Sequence, residues 1–225
     1  MSPFGYERDM NHFLLLIVAA ALSINIANAD DPVAAQAHAM RAMNALQRAD
    51  TDTAIAELTK SVELNPKFAM GWGMRASARA AKGDFQGAAQ DATKALEIGT
   101  PFDEAVHLQR GEYRLENDDV KGAIADFEKT IELKPKGSMS KLAQCLIPLA
   151  KGKTDDALAA VNKLIEENPH GDWDAPLMLR GKILLRKGDA EKALADFESV
   201  LKSDERRKFE IQPLIDKAKA MLKKP

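Results

Sequence analysis

The sequence predicts an all-α solenoid of about five stacked helix–turn–helix repeats, followed by one further helix at the carboxyl end. Three columns of residues carry that prediction. Small side chains recur at Ala42, Ala76, Gly111, Cys145 and Gly181, in steps of 34, 35, 34 and 36. Twelve positions after each of these, Ala54, Ala88, Ala123, Ala157 and Ala193 repeat the same four steps. Between the two columns stand Asp50, Asp84, Asp119, Lys153 and Asp189, again with identical steps. A sustained period of this size marks a repeat architecture, in which each unit buries its apolar face by stacking on its neighbours. The offsets within a copy never vary, so the additional residues fall between copies.

The chain opens on a candidate export signal at 1–29. Phe13 to Leu22 is a run of ten apolar residues, followed by Ser23, Asn25 and then Ala27-Asn28-Ala29 before Asp30. A short apolar core ending in small residues is the pattern of a cleaved secretory leader. Ser23 and Asn25 interrupt the run well short of the ~20 apolar residues that span a bilayer. Arg8 is offset by Glu7 and Asp9, and a start at Met10 gives a neater leader. The expected destination is outside the cytoplasm, and the periplasm if the source is a Gram-negative bacterium.

Each copy then reads as two helices. Ala54, Leu58, Ser61 and Val62 in the first copy, and Ala123, Phe127, Thr130 and Ile131 in the third, lie at spacings of three and four. Such spacings gather them on one helix face. Glu57 with Lys60, Asp91 with Lys94, and Asp126 with Lys129 fall opposite, on an expected solvated face. Gly83-Asp84, Asp118-Asp119 and Gly188-Asp189 are turn signals, each with an aspartate placed to cap the next helix. Pro66, Pro135 and Pro169 end the second helices of their copies, because proline cannot extend the backbone ladder. Pro148 lies inside the first helix of the fourth copy and is expected to kink or shorten it. Phe209 to Lys224 reads as the last helix, with Ile211, Leu214, Ile215, Ala218 and Leu222 apolar. Its expected role is to hide the final open face of the stack.

These linked copies resemble the tetratricopeptide repeat, a 34-residue helix–turn–helix unit with a W…LG…Y…A…F…P signature. The second copy matches at Trp72 and Ala88, and the third at Gly111, Ala123, Phe127 and Pro135. The fourth matches at Ala157 and Pro169, the fifth at Gly181, Ala193 and Phe197, and the first at Ala54 and Pro66. The tyrosine position departs, holding Ala45, Arg79, Arg114, Pro148 and Leu184. Trp173 falls in a junction insert, His170-Gly-Asp-Trp173, and the fifth copy lacks its closing proline. The copies are placed at 35–68, 69–103, 104–137, 138–173 and 174–207, inside a repeat domain at 30–207 with a capping segment at 208–225. The resemblance implies a right-handed superhelix whose first helices line a concave surface, and a role in protein–protein interaction.

Composition narrows the function. Lys+Arg 32 against Asp+Glu 34 gives a net charge of −2. That balance supplies neither a basic surface to displace counterions from nucleic acid nor a polybasic membrane tether. The single cysteine excludes an internal disulfide and any multi-cysteine metal site. Gly152-Lys153-Thr154 resembles the end of a phosphate-binding loop, but Ile147 stands where that loop needs glycine, and the segment is an inter-helix turn. His38 and His107 occupy the slot of Trp72; with His170 they show no ligand spacing and read as packing or rim residues. Cys145, in the small-residue column, reads as a buried side chain. No catalytic, cofactor or metal residue is assigned, and an enzyme is not expected.

The methionines point to a surface. Of nine, six lie in first helices: Met40, Met43, Met70, Met74, Met139 and Met178. Projection onto the concave side gives Met43, Met70, Gly73, Ser77, Leu108, Glu112, Leu115, Met139, Leu142, Leu146, Met178 and Lys182. As a groove, this strip suits an apolar or amphipathic segment of another protein, since methionine adapts to irregular partners. As core, the same residues fill the helix pairs. Both readings stay open from sequence. The function expected is an exported interaction scaffold; the alternative is a structural or self-associating subunit of an envelope assembly.

Overall fold

The computed structural model describes residues 31–167 and 174–223. The candidate leader with its expected cleavage site, Pro169, the insert at 170–173 and the last two residues lie outside them. The described residues form eleven α-helices and no strand: α1 (Pro32–Gln47), α2 (Thr51–Leu64), α3 (Ala69–Ala81), α4 (Phe85–Ile98), α5 (Asp103–Glu116), α6 (Val120–Leu133), α7 (Ser138–Ala150), α8 (Thr154–Glu166), α9 (Ala175–Lys187), α10 (Ala190–Ser203) and α11 (Lys208–Leu222). They pack as five hairpins, α1 with α2 through α9 with α10, each hairpin resting on the next. This nearest-neighbour packing is that of a solenoid.

One turn builds every hairpin. The backbone enters the left-handed region at Ala49 (φ 57°), Gly83 (82°), Asp118 (60°), Gly152 (74°) and Gly188 (85°). The next N–H then reaches back to the carbonyl five residues earlier: Asp50 to Ala45 at 2.9 Å, Asp84 to Arg79 at 3.0 Å, Asp119 to Arg114 at 2.8 Å, Lys153 to Pro148 at 2.9 Å and Asp189 to Leu184 at 3.0 Å. That closure satisfies carbonyls which the ending helix leaves unpaired. The aspartates cap the second helices: Asp50 accepts from Thr53 N–H, Asp84 from Gly87, Asp119 from Gly122 and Asp189 from Lys192. Lys153 cannot, and α8 starts without a side-chain cap. Its first turn carries Asp155 and Asp156 instead, which favour the positive end of the helix dipole.

Side-chain volumes compensate across each hairpin. Phe127 and Phe197 are fully buried, and a Cβ added to Gly111 or Gly181 stands 2.5 Å from the facing ring. At the same register Ala42 shares a core cluster with Leu58, Ala76 with Ala92, and Cys145 with Val161. The small column is therefore where two helices approach, and its residue answers the size of the one opposite. Pro148 does not shorten α7, whose 13 residues equal those of α3 and α9. It sits near the last turn, two residues before the helix ends.

The terminal helix does more than cover the fifth repeat. A 3₁₀ turn (Glu205–Arg207) redirects the chain, and α11 buries Ile211, Ile215 and Ala218. These join Phe197 and Val200 of α10 and Met178 of α9 in one cluster. The same helix also reaches α1 and α3, with Phe209 packed against the cluster of Ala39, Ala42 and Ala78. It therefore connects the last repeat to the first two.

Candidate functional site

The inner side of the solenoid is made by first helices. Across repeats α1 touches α3, α5 touches α7 and α7 touches α9, whereas second helices do not meet each other so closely. Two ion pairs even skip a repeat. Lys182 Nζ on α9 lies 3.1 Å from Glu112 Oε2 on α5, and Arg186 Nη2 lies 2.7 Å from Glu116 Oε1. First helices two repeats apart meet only on the shorter arc of a curved stack.

The groove candidates separate by position along this arc. Met43 and Met70 are 51% and 57% exposed, and Gly73, on the same helix as Met70, has open space where a side chain would be. Ser77 Oγ stands 3.4 Å from Tyr113 Oη of the next repeat. Leu108, Leu142 and Leu146 are buried together in one core cluster, with Met139 half-buried against it. Met178 is buried in the cluster that α9 and α10 share with α11, and Glu112 and Lys182 are paired. The structure thus brings the carboxyl-terminal members into the core or under the last helix and leaves Met43 and Met70 facing solvent. It does not join all twelve into one continuous strip.

The expected solvated face is corrected at Asp91 and Asp126, each only 2% exposed. Asp91 accepts two parallel bonds from Arg75, Nε and Nη2 both at 2.8 Å, and a third from Arg79 Nη1 at 2.9 Å. Asp126 accepts from Arg110 at 2.9 and 2.6 Å and from Arg114 at 2.7 Å, with His107 Nδ1 2.9 Å away. Asp196 accepts the same fork from Arg180 at 2.9 and 2.6 Å. A bidentate guanidinium supplies both charge and geometry, which is what lets a carboxylate leave water. Arg79 and Arg114 are the residues in the divergent tyrosine slot. Each fork also donates to the preceding repeat, Arg75 to Thr59 at 3.2 Å and Arg110 to Thr93 at 3.1 Å. These contacts join neighbouring hairpins. The fourth repeat has Gln144, Pro148 and Ala160 at the corresponding places and relies on an apolar core.

Sequence reasoning missed this ladder, although its signal was present. Arg75, Arg110 and Arg180 precede the small column by one residue, and Asp91, Asp126 and Asp196 follow the alanine column by three. The histidines serve the same system. His38 Nδ1 lies 2.7 Å from Glu57, and this hydrogen bond holds the Glu57 carboxyl below its ordinary pKa. Trp72, in the equivalent slot, stacks over Arg75 at 4.7 Å and donates its ring N–H to Pro66 O at 2.9 Å.

Electrostatics on the inner face are local. Burial opposes the charge of Lys182, but Glu112, Glu116 and Glu210 outweigh it and hold its pKa above that of ordinary lysine. Burial raises the Tyr113 hydroxyl, with Glu112 and Glu210 adding to the shift. Glu210 belongs to α11, so the last helix contributes to this field. The Gly152-Lys153-Thr154 turn spends its backbone amides on helix closure, Gly152 N–H on Leu149 O and Lys153 N–H on Pro148 O. Among the described residues no group of His, Cys, Asp and Glu could hold a metal ion, and no helix is long and apolar enough to cross a membrane.

Comparison with known proteins bears on this architecture. A family model described as a tetratricopeptide repeat-like domain matches residues 74–220, and one described as a tetratricopeptide repeat matches 39–104. DnaJ homolog subfamily C member 3 of Bos taurus is 31% identical over 108 residues, which is 48% of this chain and 21% of that protein. Its Rattus norvegicus counterpart is 30% identical over 127 residues, 56% of this chain and 25% of that protein. The matched region thus spans about a fifth to a quarter of those relatives. A thermophilic TPR protein of Thermus thermophilus superposes with a TM-score of 0.59 at 14% identity, over 84% of this chain and 99% of the other. A tetratricopeptide repeat protein of Parabacteroides merdae gives 0.58 at 19%, over 85% and 80%. The first TPR of Spaghetti (RPAP3), bound to an HSP90 peptide, gives 0.50 at 21%, over 55% and 95%. These structural likenesses establish the fold.

Proposed function

Because the chain belongs to the tetratricopeptide repeat family, we propose that it is an exported scaffold that holds an apolar or amphipathic segment of another protein on its inner face. The observation that carries this is the open stretch over the first two repeats. Met43 and Met70 are more than half exposed there, and Gly73, three residues after Met70 on α3, adds no side chain. Flexible thioether side chains can settle on an irregular apolar partner. The bound HSP90 peptide in the Spaghetti (RPAP3) domain supports a peptide-like ligand for this architecture. A surface already held by packed hairpins lowers the ordering cost of binding. Export rests on the candidate leader read from the sequence at 1–29. The proposal assigns binding and no chemistry, with no catalytic, cofactor or metal residue.

The test compares affinity capture from the exported fraction by the mature chain and by a Met43→Lys, Met70→Lys variant. Both side chains are exposed, so the variant is expected to keep its melting temperature and lose the captured protein. Unchanged capture by the folded variant overturns the reading. Self-association has one observation in its favour: Val33 and Met40 are 77% and 64% exposed on α1, the first helix of the stack. Light scattering across a concentration range decides it, since a monomer throughout excludes a self-assembling subunit.

A further inference from the structure

We propose that α11 is an internal occupant of the inner face, and that this face receives an amphipathic helix which competes with α11 for the same place. The inference deepens the interaction reading above and rests on it. Three observations carry it. The apolar side of α11, Ile211, Ile215 and Ala218, packs on α10 and shares its cluster with Met178, an inner-face position of the fifth repeat. Its beginning spans back to α1 and α3, where Phe209 packs on the first two repeats. Glu210 follows Phe209 directly, and its charge adds to the raised pKa of both Tyr113 and Lys182.

The hold of α11 on the first repeats is weak in a specific way. Every polar link recorded for α11 among the described residues runs within its own segment or to α10: Arg207 to Glu210, Gln212 to Asp216, and Lys219 to Glu198. None ties it to α1 or α3, so that contact rests on apolar packing. Pro213 has no N–H to donate to the carbonyl of Phe209, four residues before it, so the first turn of α11 lacks one ladder bond. That turn also lacks a side-chain cap. A helix anchored on one side by Ile211, Ile215 and Ala218, with an under-bonded first turn, can open without unfolding the stack. The occupant then states the chemistry of its competitor: an aromatic residue, an acid, and apolar residues spaced as Phe209-Glu210-Ile211-x-x-x-Ile215-x-x-Ala218.

The experiment uses the full mature chain and a fluorescein-labelled peptide of its own residues 205–223. Native-state hydrogen exchange reads whether α11 opens separately from α10, and anisotropy reads peptide binding. Amides of α11 are expected to exchange about ten-fold faster than those of α10 in the unaltered chain. Phe209→Ala removes the contact with the first repeats and is expected to bind the peptide about ten-fold more tightly than the unaltered chain. Pro213→Ala restores an N–H to the first turn and is expected to slow opening and weaken peptide binding. Equal protection of α10 and α11 in the unaltered chain overturns the proposal, and so does a peptide that ignores an opened Phe209→Ala protein. Either failure leaves capture through Met43 and Met70 to be judged by its own variant, so the two readings fail separately.

Discussion

Lys182 and Glu112 form an ion pair at 3.1 Å although 70 residues separate them, and the helices that carry them belong to the fifth and third repeats. The curvature of the stack brings such non-adjacent hairpins within reach of each other. Both side chains are about 30% exposed, so solvent moderates the pair. Glu112→Gln is expected to lower stability by about 1 kcal/mol, and adding Lys182→Gln to cost less than the sum of the two single changes by about 0.5–1 kcal/mol. Urea unfolding of the four proteins measures this. The pH dependence has a definite sign. The folded pKa of Lys182 is raised, so its contribution is complete below the unfolded lysine value of ~10.4 and is lost as pH climbs through the folded value. Glu112→Gln is expected to flatten the stability curve in that alkaline window.

The buried carboxylates are expected to dominate polar mutational effects. Asp126→Asn leaves Arg110 and Arg114 facing a neutral amide inside the repeat. The expected loss is about 2–4 kcal/mol, below the full cost of breaking a wholly buried pair because both arginines retain some contact with water. Glu57→Gln, at the corresponding place in the more open first repeat, is expected to cost under about 1 kcal/mol. Equal losses at the two positions contradict the account. Chemical denaturation midpoints compare them.

Much of this architecture was legible in the sequence, and the misses have physical causes. Identical steps at Ala42, Ala54 and Asp50 located every hairpin, because close helix approach and the turn recur at the same place in each unit, even where Lys153 replaces the capping aspartate. Asp91 and Asp126 were assigned to water because helical periodicity judges a residue by its own helix. It does not register an arginine arriving from the helix before. The twelve groove candidates share a register, and register does not tell an inner surface from an inner surface that the chain itself covers. The return of α11 to α1 and α3 depends on the summed curvature of five repeats. No local pattern around Phe209 encodes that.

The small column predicts a packing cost that depends on its partner. Gly111→Ala places a Cβ 2.5 Å from the ring of Phe127 and is expected to destabilise by about 1–3 kcal/mol. Phe127→Leu costs stability by itself, yet added to Gly111→Ala it is expected to recover part of the loss, as Ala42 opposite Leu58 already does in the first repeat. Thermal unfolding of both single variants and the double variant reads the coupling.

At the hairpin turns one residue is expected to be improvable. Ala49 holds a φ of 57°, a position that Gly83, Gly152 and Gly188 fill with glycine. Ala49→Gly is expected to stabilise by about 0.5–1 kcal/mol, because relief of the left-handed strain exceeds the extra chain entropy of glycine. Gly152→Ala is expected to destabilise. A loss of stability in Ala49→Gly, measured by urea titration, would contradict the common turn geometry.

The central claim, that the terminal helix crosses back to the first repeats, has a direct measurement. A nitroxide attached at Lys208→Cys, an exposed position at the start of α11, broadens amide resonances of whatever lies near it. Cys145 is buried and its thiol is pushed up to about 11 by that burial, so it stays unlabelled in the native protein. Broadening in α1 and α3 together with α10 is the predicted result. Broadening confined to α10, with α1 and α3 sharp, would contradict it.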